Sequence, residues 1–145
     1  MSSTIAINNS IRSAGAGVLM AQSSQPVAST GALDVDGNGK YDALTDGLIV
    51  LRWLFGLSGQ PLVNGAIGSG AVRALPADIV AWLDPRRAAF DVDGNNNTDA
   101  LTDGLMILRY MFGLRGAPLI SGAIGNGANR ATAPLIEAYI SRLMP

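Results

Sequence analysis

The chain has no cysteine and no histidine. The first absence removes thiol nucleophiles, disulfides and thiolate metal sites. The second removes imidazole ligation of haem, the usual zinc ligand sets and any Ser-His-Asp arrangement. Lack of cysteine leaves the compartment open, because an oxygen-ligated cation can staple a small domain as a disulfide does elsewhere. Charge is scarce too: 14% of the 145 residues are charged and the net charge is −1. Without a basic surface, nucleic acid is not an expected partner. An apolar content of 48% allows a packed core over most of the length, and the small net charge opposes association only weakly. No uninterrupted apolar run reaches the roughly 18 residues of a membrane span, so none is expected. Residues 14–21 follow Arg12 and fit either a short secretory apolar region ending near Met20 or, given the weakly charged start, an ordinary small-residue segment.

What is present is a duplication. Asp34-Val-Asp-Gly-Asn-Gly-Lys-Tyr-Asp42 returns 57 residues later as Asp91-Val-Asp-Gly-Asn-Asn-Asn-Thr-Asp99, and both copies continue Ala-Leu-Thr-Asp-Gly-Leu. In the same register Leu48–Gly56 matches Leu105–Gly113, Gly65–Ala71 matches Gly122–Ala128, and Arg73 matches Arg130. No insertion is needed, so the two units are expected to share one conformation. Each reads as loop, helix, glycine-rich loop, helix. The first helices run from about Ala43 to Gly56 and from Ala100 to Gly113, glycine being suited to a left-handed C-terminal cap. The second helices begin near Pro76 and Pro134, since proline fits a first turn. Asp84–Arg87 is a linker. The expected fold class is all-α: two tandem calcium loop–helix–loop–helix repeats, residues 34–84 and 85–145, packed together behind an extended N-terminal segment, residues 1–33. That segment reads as a flexible leader or as a docking strand around Thr4–Ile7. Leu44, Leu48, Leu51 and Phe55 form one apolar stripe and Ile49, Val50, Trp53 and Leu54 cover other faces, so the first helices must be buried on several sides. They are expected to pack on each other or on a partner, with Ala43, Leu44, Ala100 and Leu101 in the core.

The duplicated loop has the donor pattern of a calcium site. Calcium takes about six to eight oxygen ligands, which EF-hand loops supply from alternate positions around a sharp turn at position six. The first loop offers Asp34, Asp36 and Asn38 at positions one, three and five, the Lys40 carbonyl at seven and Asp42 at nine. The second offers Asp91, Asp93, Asn95, the Asn97 carbonyl and Asp99. Gly39 makes the turn in the first loop; Asn96 stands there in the second and tolerates positive φ better than other side-chain-bearing residues. Position twelve holds Thr45 or Thr102, and the closing carboxylate falls one later: Asp46 and Asp103 are expected to close the sphere from the first turn of the helix, the alternative being that threonine supplies an oxygen or a cap while water fills the gap. Eight of the eleven acidic residues lie in these two stretches, a crowding that calls for a counter-cation. Two calcium ions per chain are expected.

These residues resemble the dockerin-type calcium-binding repeats of bacterial extracellular proteins. The strings Asp-Ala-Leu-Thr-Asp-Gly-Leu and Leu-Arg-Trp/Tyr-Leu/Met-Phe-Gly look like a dockerin-like variant from large secreted bacterial proteins. The resemblance covers both loops and first helices. It implies a calcium loop followed by a single helix, a bacterial extracellular or cell-surface location, and helix faces that bind cohesin modules. The spacing between loops is longer than in a compact dockerin and the closing aspartate is displaced.

Other signals fail their context. Gly65-x-x-Gly-x-Gly70 has no preceding strand and no following Lys-Ser/Thr, so it is a tight connector and not a phosphate cradle. Trp53, Tyr110, Trp82 and Tyr139 are placed as core aromatics, and Arg52 and Arg109 bind an anion, pair with a carboxylate or snorkel. The carboxylates have the spacing of metal ligands and not of a hydrolytic pair, so no enzyme activity is expected. The expected function is a non-catalytic, calcium-ordered structural protein whose partner is another copy of itself, in a filament or surface array. The alternative is a recognition module for a cohesin-like receptor.

Overall fold

The computed structural model describes residues 30–144. Among the described residues the chain is all-helical and forms no strand. The strand-like reading of Thr4–Ile7 lies outside them. Ala43–Gly47 is a single π-helical turn, closed by the Gly47 N–H donating to the Asp42 carbonyl five residues back at 3.1 Å. It feeds directly into helix α1 (Leu48–Leu54). Gly56, at φ +89°, ends the run as expected: its N–H reaches the Trp53 carbonyl at 2.9 Å and the Leu57 N–H reaches that of Arg52 at 3.0 Å, the pairing of a Schellman cap.

Helix α2 (Gln60–Val63) is one turn long and α3 (Pro76–Leu83) follows. The second half runs through a π-turn (Ala100–Gly104), α4 (Leu105–Met111), α5 (Ala117–Ile120) and α6 (Ala133–Ser141). Gly113, at φ +95°, caps α4 with the same two bonds. Both proline-led helices therefore stand where the sequence places them. Two features were not expected. The one-turn helices α2 and α5 interrupt stretches read as loop; Pro61 and Pro118 sit in their first turns. The Asp84–Arg87 linker is the start of a 3-10 helix, Asp84–Phe90.

The two first helices pack on each other. A Cβ on Gly47 would lie 3.0 Å from Met111 Sδ and 3.1 Å from Leu108 Cδ1, and one on Gly104 would lie 3.1 Å from Cδ1 of both Leu51 and Leu54. Each π-turn is thus seated on the other half's helix, with glycine allowing the approach. Ile49, Val50 and Trp53 of α1 and Met106 and Ile107 of α4 are buried, together with Ile79 and Leu83 of α3 and Ile136 and Ile140 of α6. Phe90 meets the Trp53 ring edge-on at 5.7 Å between centroids. Ala32 and Leu33 are also buried, and the Leu33 N–H donates to the Leu143 carbonyl at 3.1 Å, joining the two ends of the described chain.

The expected core positions of Leu44 and Leu101 are corrected. Ala43 and Ala100 are buried, but Leu44 and Leu101 are each 63% exposed, and Phe55 and Phe112 each 54%. The π-turn holds one more residue than an α-turn, so positions before Leu48 rotate off the stripe that strict α-helical spacing projects. Ala43 takes the inward position and Leu44 turns out.

Candidate metal centre

Each loop begins where the chain leaves a buried apolar residue and ends in its π-turn. Asp34, Asp36 and Asp46 each bring one carboxylate oxygen to a common point, with all three atoms within 4.8 Å of one another, and Asp91, Asp93 and Asp103 do the same. Asp36, Asp46, Asp93 and Asp103 have no exposed surface. Burying carboxylates side by side is costly unless hydrogen bonds or a cation compensate.

The hydrogen bonds are numerous. Asp36 accepts from the Asn38 N–H (3.1 Å) and, on its other oxygen, from the Gly68 N–H (2.7 Å). Asp93 accepts from the Asn95 N–H (3.3 Å) and the Gly125 N–H (2.7 Å). Asp34 Oδ2 accepts from the Gly39 N–H at 2.9 Å, and Asp91 Oδ2 from the Asn96 N–H at 2.9 Å. Asp46 and Asp103 accept from the backbone at both ends of their loops; the Val35 N–H donates to Asp46 Oδ1 at 2.7 Å and the Asp42 N–H to Asp46 Oδ2 at 3.0 Å. The turn residues take the predicted backbone: Gly39 at φ +82° and Asn96 at φ +69°.

Asn38 Nδ2 donates to the Ser69 carbonyl at 3.2 Å and Asn95 Nδ2 to that of Asn126 at 3.1 Å. The side-chain oxygens of Asn38 and Asn95 accept from the Lys40 and Asn97 N–H groups, both at 2.9 Å. Asp42 and Asp99 are exposed and stand outside the two triads; Lys40 and Asn97, expected to offer their backbone carbonyls, are exposed as well.

Two contributions escaped sequence reasoning. The glycine-rich connectors fold onto the loops and supply the Gly68 and Gly125 amides. The arginines that follow hold the loop backbone. Arg73 donates Nε to the Val35 carbonyl at 2.8 Å and a guanidinium N–H to that of Asp34 at 2.7 Å; Arg130 does so to Val92 at 2.7 Å and Asp91 at 2.8 Å. Each guanidinium lies over a ring, Arg73 3.7 Å from the Trp82 centroid and Arg130 3.9 Å from that of Tyr139. The signal was the match of these arginines at the repeat spacing, which carried no chemistry by itself. Arg52 and Arg109 are settled differently from any of the readings offered: each donates to two carbonyls at the end of α2 or α5, Leu62 and Asn64 or Leu119 and Ser121.

Burial pushes the Asp46 and Asp103 carboxyls up to about 6, with the neighbouring Asp36 and Asp93 adding to the rise and backbone N–H groups opposing it. Burial also raises Asp93. The donor set fits a hard divalent cation: it is all oxygen, and the buried Asp34 Oδ1 has no hydrogen-bond partner. A buried carboxylate oxygen without a donor is a position that a cation satisfies. Either triad can hold a metal ion.

The chain matches no protein-family model, no curated protein and no solved structure.

Proposed function

We propose that the protein is a non-catalytic calcium-binding module of the dockerin-like kind, built as two loop–helix–loop–helix repeats that each take one ion. The observation that carries the reading is the twofold occurrence of a buried three-carboxylate cluster, one of them with an unpartnered Asp34 Oδ1. Calcium is favoured over magnesium because the loops offer many protein oxygens, whereas magnesium keeps several waters and a strict octahedron. Asp34, Asp36, Asn38, the Lys40 carbonyl and Asp42 are assigned to the first ion, and Asp91, Asp93, Asn95, the Asn97 carbonyl and Asp99 to the second. Asp46 and Asp103 close the two loops.

The role assigned to the ordered repeats is assembly with other copies outside a bacterial cell, where calcium near 10⁻³ M fills even weak sites and stabilises the bound fold by mass action. The exposed Leu44, Phe55, Leu101 and Phe112 support an associating surface. The same exposure of Leu44 and Leu101, just behind the loops, favours a second reading as a ligand of a cohesin-like receptor. Calorimetric titration with calcium, coupled to light-scattering mass, tests both. Two ions and a calcium-dependent rise in mass are expected. Two ions with an unchanged mass and capture by a cohesin domain select the second reading, and absence of calcium binding removes both.

A further inference from the structure

We propose that Asp46 and Asp103 are positioning residues, clasps that fasten the start of each loop to its end, while the ion is left to the other oxygens of the loop. Only that last clause rests on the calcium reading.

A carboxylate has about four lone-pair sites, and in Asp46 all four are used. Oδ1 accepts from the Val35 N–H at 2.7 Å and the Asp36 N–H at 3.3 Å; Oδ2 accepts from the Asp42 N–H at 3.0 Å and the Thr45 hydroxyl at 3.2 Å. Asp103 repeats the pattern with the Val92 N–H at 2.6 Å, the Asp93 N–H at 3.2 Å, the Asp99 N–H at 2.8 Å and the Thr102 hydroxyl at 3.2 Å. Two of the donors open the loop and two end it, so one side chain bridges ten or eleven residues of backbone. In the first loop Asp34 is the contrast, with its buried Oδ1 taking no donor at all, while in the second Asp91 Oδ1 accepts from the Gly94 and Asn95 N–H groups at 3.1 and 3.2 Å.

Proximity places an Asp46 oxygen within 4.8 Å of those of Asp34 and Asp36. Ligation through Oδ1 would nevertheless displace the N–H groups of Val35 and Asp36, both buried residues, and an unpaired buried donor costs more than a bond gains. The chain geometry agrees. EF-hand loops close with a bidentate glutamate at position twelve. Here position twelve is threonine, whose hydroxyl serves the clasp, and the acid is the shorter aspartate one place later. The π-turn supplies the extra residue that lets it reach back over the loop.

The test is amide hydrogen exchange on the whole chain in EDTA, followed by calcium titration. In the unaltered protein the Val35, Asp36 and Asp42 amides, and those of Val92, Asp93 and Asp99, are expected to be protected before any ion is added. Asp46→Asn places an NH₂ group among N–H donors and is expected to accelerate exchange of its three amides about 10- to 100-fold, leaving Ile79 and Ile136 protected. Asp34→Asn is expected to leave all six protected and to abolish the first ion. The proposal is overturned if the six amides become protected only after calcium is added, or if Asp46→Asn keeps its amides protected yet loses its ion. Should Asp46→Asn not fold, exchange in the unaltered chain decides. Failure of both loops to bind calcium with the amides still protected removes the calcium reading and leaves the clasp.

Discussion

Gly68→Ala is the sharpest probe of the connector's part in the site. Gly68 carries no positive φ, so alanine is not strained by its backbone; the cost is one of space. Its Cβ would stand 2.5 Å from Asn38 Nδ2 and 3.0 Å from Asp36 Oδ2. Asn38 must swing away, which breaks its bond to the Ser69 carbonyl, and Asp36 must give way from the Gly68 amide, now bonded at 2.7 Å. Overpacking of this order costs about 1–3 kcal/mol. Both displaced groups are assigned to the first ion, so the cost falls on ion binding more than on the metal-free fold. A loss of about 1–3 kcal/mol is roughly a 5- to 150-fold rise in Kd. Calorimetric titration reads this directly, with the second loop as internal reference. Gly125→Ala is the mirror experiment, its Cβ lying 2.6 Å from Asn95 Nδ2 and 2.8 Å from Asp93 Oδ2. Gly70→Ala is the control: it has φ +80° and nothing within 4 Å, so it perturbs the backbone of the same connector without touching the loop. If Gly68→Ala binds its first ion as the parent chain does, the connector does not shape the site and the argument fails.

Three further outcomes are expected. Asp46 and Asp103 have carboxyls raised to about 6 in the fold against about 3.9 unfolded; a raised acid contributes stability that is fully present below the unfolded value and lost as pH rises through the folded one. The metal-free fold should therefore lose stability between pH 4 and 7, by less than roughly 3 kcal/mol per carboxyl once solvent screening is counted, read as a falling Tm, whereas calcium, which needs deprotonated loops, should reverse the trend; Tm curves with calcium and with EDTA that run parallel across this range would refute it. Gly104→Ala gains roughly 1 kcal/mol of helix propensity but overpacks Leu51 and Leu54, both 3.1 Å away, by about 1–3 kcal/mol, so urea denaturation should show a net loss of roughly 1 kcal/mol with two ions still bound. Asn96 sits at φ +69°, so Asn96→Val should cost about 1–2 kcal/mol in the second loop while Asn96→Gly changes it little; equal titrations for the two variants would contradict this.

The parts of the fold legible in the sequence are those fixed by local chemistry. Gly56 and Gly113 announced the ends of α1 and α4 because a left-handed cap needs glycine. Pro76 and Pro134 announced α3 and α6 because proline suits only a first turn. The alternate oxygens of Asp34, Asp36 and Asn38 announced a loop because their spacing is the ligand spacing. What was not legible depends on turns of the chain that period counting cannot see. Strict α-helical spacing put Leu44 on the buried stripe, and one extra residue in the π-turn turned it outward. Gly68, Arg73 and their counterparts act on loops more than 30 residues away, and no local pattern marks a residue for a contact of that range. The one-turn helices around Pro61 and Pro118 are too short to show a period at all.

The placement of Gly47 and Gly104 ties the two halves together more closely than the duplication alone implies. Asp46 closes the first loop, and the next residue, Gly47, is the point at which the π-turn rests on Leu108 and Met111 of α4. Asp103 and Gly104 repeat this against Leu51 and Leu54 of α1. The end of each loop and the crossing of the two helices are therefore adjacent residues of one turn, and that turn has little freedom: the Asp42 carbonyl fixes Gly47 by hydrogen bond while the Asp42 amide fixes Asp46. Ordering one loop thus fixes the surface on which the other half's helix lies. The bonds that fasten the loops therefore also help to hold the helix pair. The apolar residues left outside, Leu44 and Leu101, belong to the same turns, which places the exposed surface, the helix crossing and the acidic clusters on a single mechanical element in each half.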